Sequence, residues 1–204
     1  MKLIGMLDSP FVRRVAVTMK LLELPFEHES VSVMRDYETF RTYNPLVKAP
    51  TLIMDDGTIL MESSLILELV EKLAGPGQGL MPEGLDDYVR AQRIIGLSLI
   101  AAEKTVQKVY EHNMRASENI DLKWLSRVET QLADAYRALN AELKKSTDWS
   151  CGPKLTQADI TAAIAWKFTE HVFPKLADDR TYPAIAALSE RAEAIPEFID
   201  TPLE

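Results

Sequence analysis

Three short stretches of this 204-residue chain carry side chains whose type and setting could do chemistry. Ser9 and Pro10 stand where the apolar run Lys2 to Leu7 gives way to a helical pattern of Val12, Val15, Met19 and Leu22. Proline is tolerated at the first helical position because the N–H it lacks would have no partner there, so Ser9 falls on a helix N-terminus. A hydroxyl in that place can cap the helix, or it can donate to an anion held at the positive end of the helix dipole. Glu62-Ser63-Ser64-Leu65-Ile66 makes a second strand-to-helix junction, where unpaired N–H groups again favour an anion. The structural reading of the same residues is a serine N-cap beside a solvated acid. Between the two junctions, Asn44-Pro45-Leu46-Val47-Lys48-Ala49-Pro50 leads into a hairpin. Other chemistries lack their residues. His28, His112 and His171 have no metal-ligand spacing with one another or with Cys151, and there is neither a phosphate loop nor a Gly-x-Ser-x-Gly elbow.

The elements that must position these stretches follow from hydrophobic period and turn residues. Lys2 to Leu7 and Phe26 to Val33 pattern as strands, and Asp36 to Tyr43 as a short polar helix. Thr51 to Met54 and Thr58 to Met61 flank Asp55-Asp56-Gly57, a hairpin signal. Ser63 starts a helix with Ile66, Leu69, Val70 and Leu73 on one face, so residues 1–75 order as β-α-β-α-β-β-α. A glycine- and proline-rich segment, 76–84, is the expected linker. Residues 85–204 are expected to form an all-helical bundle. One stripe runs through Ala91, Ile95, Ser98, Ala102, Val106 and Val109, and another through Leu125, Val128, Leu132, Leu139 and Leu143. A third runs through Ile160, Ile164, Phe168 and Val172, and a last helix is marked by Ile185, Leu188 and Ile195. Thr156 and Asp159 have capping-box spacing, with Leu155 and Ile160 as the hydrophobic staple. The fold class is therefore α/β plus all-α.

Composition narrows the function further. The net charge of −8 arises from 23 basic and 31 acidic side chains, without the basic face a nucleic-acid binder needs. No apolar run is long enough to cross a bilayer. A single cysteine, Cys151, allows no internal disulfide, which with the absence of a signal pattern points to the cytoplasm.

Taken together, the Ser9–Val15, Asn44–Pro50 and Glu62–Ile66 stretches resemble the glutathione transferase family in order and spacing. The similarity is greatest over the first ~75 residues, and the Thr156–Asp159 cap and helical second half extend it. The resemblance implies a thioredoxin-like N-terminal domain that binds glutathione as co-substrate, with no metal. Pro50 would be a cis-proline, which an X–Pro bond accepts at about 0.5–1 kcal/mol, and Ala49 would pair its backbone with the tripeptide. Ser63 would hold the γ-glutamyl carboxylate, Glu62 the γ-glutamyl ammonium, and Lys48 the glycyl carboxylate. Ser9 would be catalytic, donating a hydrogen bond to the glutathione thiolate. A serine here also excludes the mixed-disulfide chemistry of relatives with cysteine at this position. Phe11 and Arg13 are further candidates; of Arg13 and Arg14, one is expected to face the site and the other solvent. Tyr110 and Trp166 lie on helices that line the electrophile pocket in this family. Many members have Gly where this chain has Val47, and Val where it has Ala49. The implied function is a glutathione S-transferase acting on a small, apolar electrophile, in a homodimer. Alternatives on the same fold are a glutathione-dependent isomerase, dehalogenase or peroxidase, and a non-catalytic interaction module.

Overall fold

Leu3 and Ile4 are adjacent, fully buried and on opposite faces of one strand, so the N-terminal sheet must be covered on both sides. A computed structural model describes residues 1–204. The chain forms two compact units, Met1–Met81 together with Glu193–Glu204, and Pro82–Ala192.

The first unit runs β1 (Lys2–Ile4), α1 (Pro10–Leu21), β2 (Glu27–Glu29), α2 (Tyr37–Tyr43), β3 (Thr51–Ile53), β4 (Ile59–Met61) and α3 (Ser63–Ala74). The sheet order is β2-β1-β3-β4, with β1 parallel to β2 and antiparallel to β3. Leu3 joins Val12, Val15, Met19, Leu52, Ile66 and Val70 in the core beneath α1 and α3, while Ile4 packs with Val31 and Phe40 on the other face. The strands are shorter than the alternation of apolar residues predicts. Gly5, at φ +134°, turns the chain out of the sheet. That leaves β1 three residues to pair, so Phe26–Val33 is strand only opposite them, from Lys2↔Glu27 to Ile4↔Glu29. The Asp-Asp-Gly hairpin forms as expected: Gly57, at φ +86°, donates its N–H to Met54 O, and Thr58 N donates to Asp56 Oδ1.

The second unit holds α4 (Leu85–Asn113), α5 (Leu122–Leu143), α6 (Gln157–Val172) and most of α7 (Pro183–Glu193). The expected last helix is two helices. Pro196 cannot continue a helix begun upstream, since it lacks the N–H and its ring meets the preceding turn; it starts α8 (Pro196–Ile199) instead. On α4 the buried face passes from Ala91, Ile94 and Ser98 to Thr105 and Lys108, while the expected Val106 and Val109 are half-buried. The cause is polar partners on other helices. Thr105 Oγ1 lies 2.8 Å from Thr169 Oγ1, which lies 2.6 Å from the Tyr136 hydroxyl. Lys108 pairs with Glu129.

The predicted carboxylate at the start of α6 is the hub of its loop. Asp159 is fully buried and accepts from Thr156 N (2.9 Å), Thr156 Oγ1 (2.7 Å) and Ser150 N (2.7 Å). Two of these donors are backbone groups that would otherwise be buried and unpaired. Replacing Asp159 with Ala should lower the unfolding free energy by about 2–4 kcal/mol, read from denaturant titration. A change within ~0.5 kcal/mol, the range of an ordinary surface substitution, would show that the loop is held by other contacts.

Candidate active site

The turn between β1 and α1 places the first group. Ser9 is the N-cap of α1, with extended backbone at φ −72° and ψ 120°. Its Oγ accepts from Val12 N at 3.4 Å, a long contact. Because Oγ acts there as acceptor, the hydroxyl proton remains to donate. Phe11 follows in the first turn of the helix, half-buried.

Gly5 brings the second stretch to the first. A Cβ on Gly5 would lie 2.7 Å from Val12 Cγ2 and 3.2 Å from Ala49 Cβ. Helix α1 and the Ala49 loop therefore close on the same glycine, and no other residue fits. The Ala49–Pro50 peptide is cis. Ala49 precedes β3, and its N–H and C=O enter none of the turn and loop hydrogen bonds of the chain. The loop is braced from inside by Asn44, whose Nδ2 donates to Thr51 Oγ1 (2.9 Å) and whose Oδ1 accepts from Leu46 N (3.0 Å). Thr51 Oγ1 donates in turn to Lys48 O at 2.6 Å. Val47 sits in this loop at φ +47°, a conformation that β-branched residues rarely adopt. It is the position at which the resemblance leads one to expect glycine. Lys48 is exposed.

The β3–β4 pairing places the third stretch, since Thr51 opposite Met61 puts Pro50 and Glu62 at one end of the hairpin. Glu62, not Ser63, is the N-cap of α3; it has φ +72°, and its Oε2 accepts from Ser64 N (3.2 Å) and Leu65 N (3.3 Å). Ser63 is the first helical residue and is buried, and its Oγ accepts from Arg14 Nη1 at 3.2 Å.

The two arginines differ from expectation, because neither faces solvent. Arg13 is engaged within the protein: Nη1 and Nη2 grip Glu193 Oε1 and Oε2 at 2.6 and 2.7 Å, and Nε donates to Thr201 O at 2.7 Å. That fork holds the C-terminal segment on α1, so Arg13 has a structural part and the arginine beside Ser63 is Arg14. In the second unit, Trp166 is 2% exposed and packs edge-on against Tyr136 at 5.2 Å and Tyr182 at 6.0 Å. It is a core residue with no face left to line a pocket. Tyr110, on α4, is partly exposed. The Cys151 thiol is half-buried, and burial pushes its pKa up, away from a reactive thiolate. Sequence reasoning did not single out Asn44, which braces the loop, and offered Arg13 where Arg14 is the arginine that meets Ser63. A helical period of 3.6 leaves both members of an adjacent pair near the buried face, so spacing alone cannot choose between them.

A β-α-β-α-β-β-α sheet unit followed by a helical unit, with a cis-proline loop beside two helix N-termini, defines a thioredoxin-like domain joined to an all-helical one. Residues 3–78 match the family model of the glutathione S-transferase N-terminal domain, and residues 123–191 match that of its C-terminal domain. With both halves matched in the expected order, the chain belongs to the glutathione S-transferase family. It is 33% identical over 93 residues to glutathione S-transferase U4 of Arabidopsis thaliana, a match covering 46% of this chain and 40% of that protein. The match thus spans about two fifths of the length of that curated relative. Among solved structures, a glutathione S-transferase of Methylobacterium radiotolerans in complex with glutathione sulfonate is 29% identical, with a TM-score of 0.90 over 100% of this chain and 95% of that one. A second, from Methylobacillus flagellatus, shares the fold at 23% identity, with a TM-score of 0.89 over 100% and 99% of the two chains.

The cap on α3 separates two jobs that Glu62 could do. Glu62→Gln keeps an oxygen for the Ser64 and Leu65 N–H groups and should leave stability within ~0.5 kcal/mol of wild type, whereas Glu62→Ala should lose about 1 kcal/mol. Equal stability of all three proteins in thermal or denaturant unfolding would mean that the carboxylate does not cap the helix.

Proposed function

We propose that this protein is a glutathione transferase in which Ser9 stabilises the glutathione thiolate for attack on a small, apolar electrophile. The observation that carries the reading is the Ser9 hydroxyl, which accepts from Val12 N and keeps its own proton for a ligand at the N-terminus of α1. Gly5 closes the Ala49 loop on that helix. The relative from Methylobacterium radiotolerans, alike over the whole chain, was solved with glutathione sulfonate.

In this reading the cysteinyl backbone of glutathione pairs with Ala49 N–H and C=O beside Pro50. The γ-glutamyl end reaches Glu62 and Ser63, and Lys48 meets the glycyl carboxylate. A free thiol has a pKa of about 8.5 and is only a few per cent ionised at neutral pH. Lowering it by about two units requires roughly 2.7 kcal/mol in favour of the thiolate. A charge-assisted hydrogen bond from Ser9 and the helix dipole are of that order together. The thiol proton leaves to solvent. The sulfur lone pair forms the S–C bond, and the electrophile either releases its leaving group or takes up a proton at the adjacent atom.

Leu85 and Val89, one turn apart on α4, are exposed. Neighbouring apolar groups on one helix face suit an interface, and we take the working state to be a two-fold homodimer. A single cysteine without a disulfide suits a reducing compartment, the cytoplasm.

A spectroscopic titration of bound glutathione from pH 5 to 10 tests the mechanism. Wild type should show a thiol pKa near 6.5, about two units below the free value, and Ser9→Ala should return it towards ~8.5 while still binding. The deficit of the variant in kcat/KM should widen as pH falls from 9 to 7 and close above 9, where free thiol ionises unaided. An unshifted pKa in the wild type would leave a binding protein without catalysis, and no glutathione binding at all would leave an interaction module.

A further inference from the structure

A cleft of about 190 Å³ opens in the helical unit between the C-terminal end of α5, the loop 146–150 and α7. Leu143, Ala184, Ala187 and Leu188 give it an apolar side, and Lys144 and Arg191 bring charge to it. Its walls are fixed from behind. Asn140 Oδ1 accepts from Ala184 N at 2.8 Å, which ties the start of α7 to α5. Ser150 N donates to Asp159 Oδ1 at 2.7 Å, and Ser146 Oγ donates to Ser150 O at 3.1 Å, which set the loop. A cleft held open in this way leaves little ordering cost for a ligand to meet.

Arg191 is oriented as well. Its guanidinium lies 4.1 Å over the Trp149 ring, and Nη2 donates to Asp148 O at 3.1 Å. Trp149 is held in a turn by Gly152 N, which donates to Trp149 O at 3.2 Å. A guanidinium has two donor edges that match a carboxylate. Asp148 O takes a single N–H of Nη2, so one edge stays complete whichever of the two it occupies. Asp148 is the one acid lining the cleft, against the two cations Lys144 and Arg191, and it forms an ion pair with neither. The neighbouring Lys145 is taken up by Glu142, whereas Lys144 is exposed. The cleft is thus locally positive on a chain of net charge −8.

We infer that this cleft is a second ligand site and that it takes a short-chain aliphatic carboxylate. Arg191 meets both carboxylate oxygens through its open edge, and Lys144 adds charge at the rim. The carbon chain of the acid lies on Leu143, Leu188 and the two alanines of α7. A volume of about 190 Å³ is below the range of about 300–1,000 Å³ for drug-sized ligands, which limits the acid to a small one. An inorganic anion would leave the apolar side in water, so the site favours an anion with a hydrocarbon body. Every residue involved belongs to the helical unit, and the site stands or falls apart from the glutathione reading.

Nuclear magnetic resonance titration of the isotope-labelled full chain tests this with isovalerate and its neutral amide, isovaleramide, at an ionic strength held constant with chloride. The indole N–H signal of Trp149, identified by its loss in Trp149→Phe, should move saturably with isovalerate, at a Kd on the order of 1 mM for so small a ligand. Isovaleramide should leave it in place. Arg191→Gln should weaken isovalerate roughly tenfold or more, the range for hydrogen bonds to a charged group. Lys144→Gln removes a solvent-screened charge and should weaken it by about twofold to threefold. Ala187→Leu, at an exposed position, fills the cleft without touching a charge and should abolish saturation; it decides the matter if Arg191→Gln disturbs the loop. No saturable shift in the wild type, equal shifts with acid and amide, or an unchanged Kd in both Arg191→Gln and Ala187→Leu would each overturn the inference and leave Arg191 a clasp on the 146–150 loop. Displacement of isovalerate by an equal concentration of inorganic phosphate would also overturn it, reducing the site to two surface cations.

Discussion

Two guanidinium groups are buried side by side in the first helix, and the N-terminal unit is arranged around satisfying them. Taking a cation out of water is among the most expensive steps in folding unless partners are supplied. Arg13 obtains a full set: both oxygens of Glu193 and the carbonyls of Thr201 and Phe198. Glu193–Glu204 accordingly belong to the sheet unit although helices of the other unit precede them in the chain. Arg14 obtains only the hydroxyls at the start of α3. One helix thus ties down residues 193–204 with one residue and reaches the start of α3 with the next. In between, α1 presents Ser9 from its own N-terminus.

The same unit holds backbone strain next to its chemistry. Val47 and Glu62 both adopt positive φ, and neither is glycine. Such residues persist only where the surroundings over-determine them, at a cost of order 1–3 kcal/mol each. For Glu62 the compensation is visible, since its carboxylate closes back on two N–H groups of α3. For Val47 it comes from packing with Ile4, Val31 and Phe40 and from the Asn44 brace on either side. In the glutathione reading proposed above, these loops are where side chains and exposed backbone meet the ligand in one geometry, and rigidity there lowers the ordering cost on binding.

The helical unit makes a different bargain with polarity. Its interior contains a chain of hydroxyls, Thr105 to Thr169 to Tyr136, ending on Ala165 O. It also has Asp159 gathering three donors and Asn140 accepting from Ala184 N at the start of α7. Fully paired networks of this kind select one packing of the helices, because any shift leaves a buried group unpaired. Trp166 is enclosed by Tyr136 and Tyr182 for the same reason. An aromatic at helical spacing was needed there to fill the core.

Much of this was legible in the amino-acid order, and the parts that were share a cause. Pro10, Asp56-Gly57, Thr156 with Asp159, and the apolar periods of α1, α3 and α5 act over three or four residues, so their meaning is carried by neighbours in the chain. The turn geometry of the three stretches proposed to meet glutathione was legible for the same reason, each being a junction with its own turn chemistry. Strand length depended on how many residues of β1 were available to pair. The buried face of α4 depended on hydroxyls and a carboxylate from other helices. The assignment of Arg13 to the tail and Arg14 to Ser63 depended on residues 180 and 49 positions away. Sequence by itself determined the family, the order of elements and which turns could hold a ligand. Only the tertiary structure decided which charges were paired, because the energy of a buried charge is set by what surrounds it in space, and its neighbours along the chain carry no record of that.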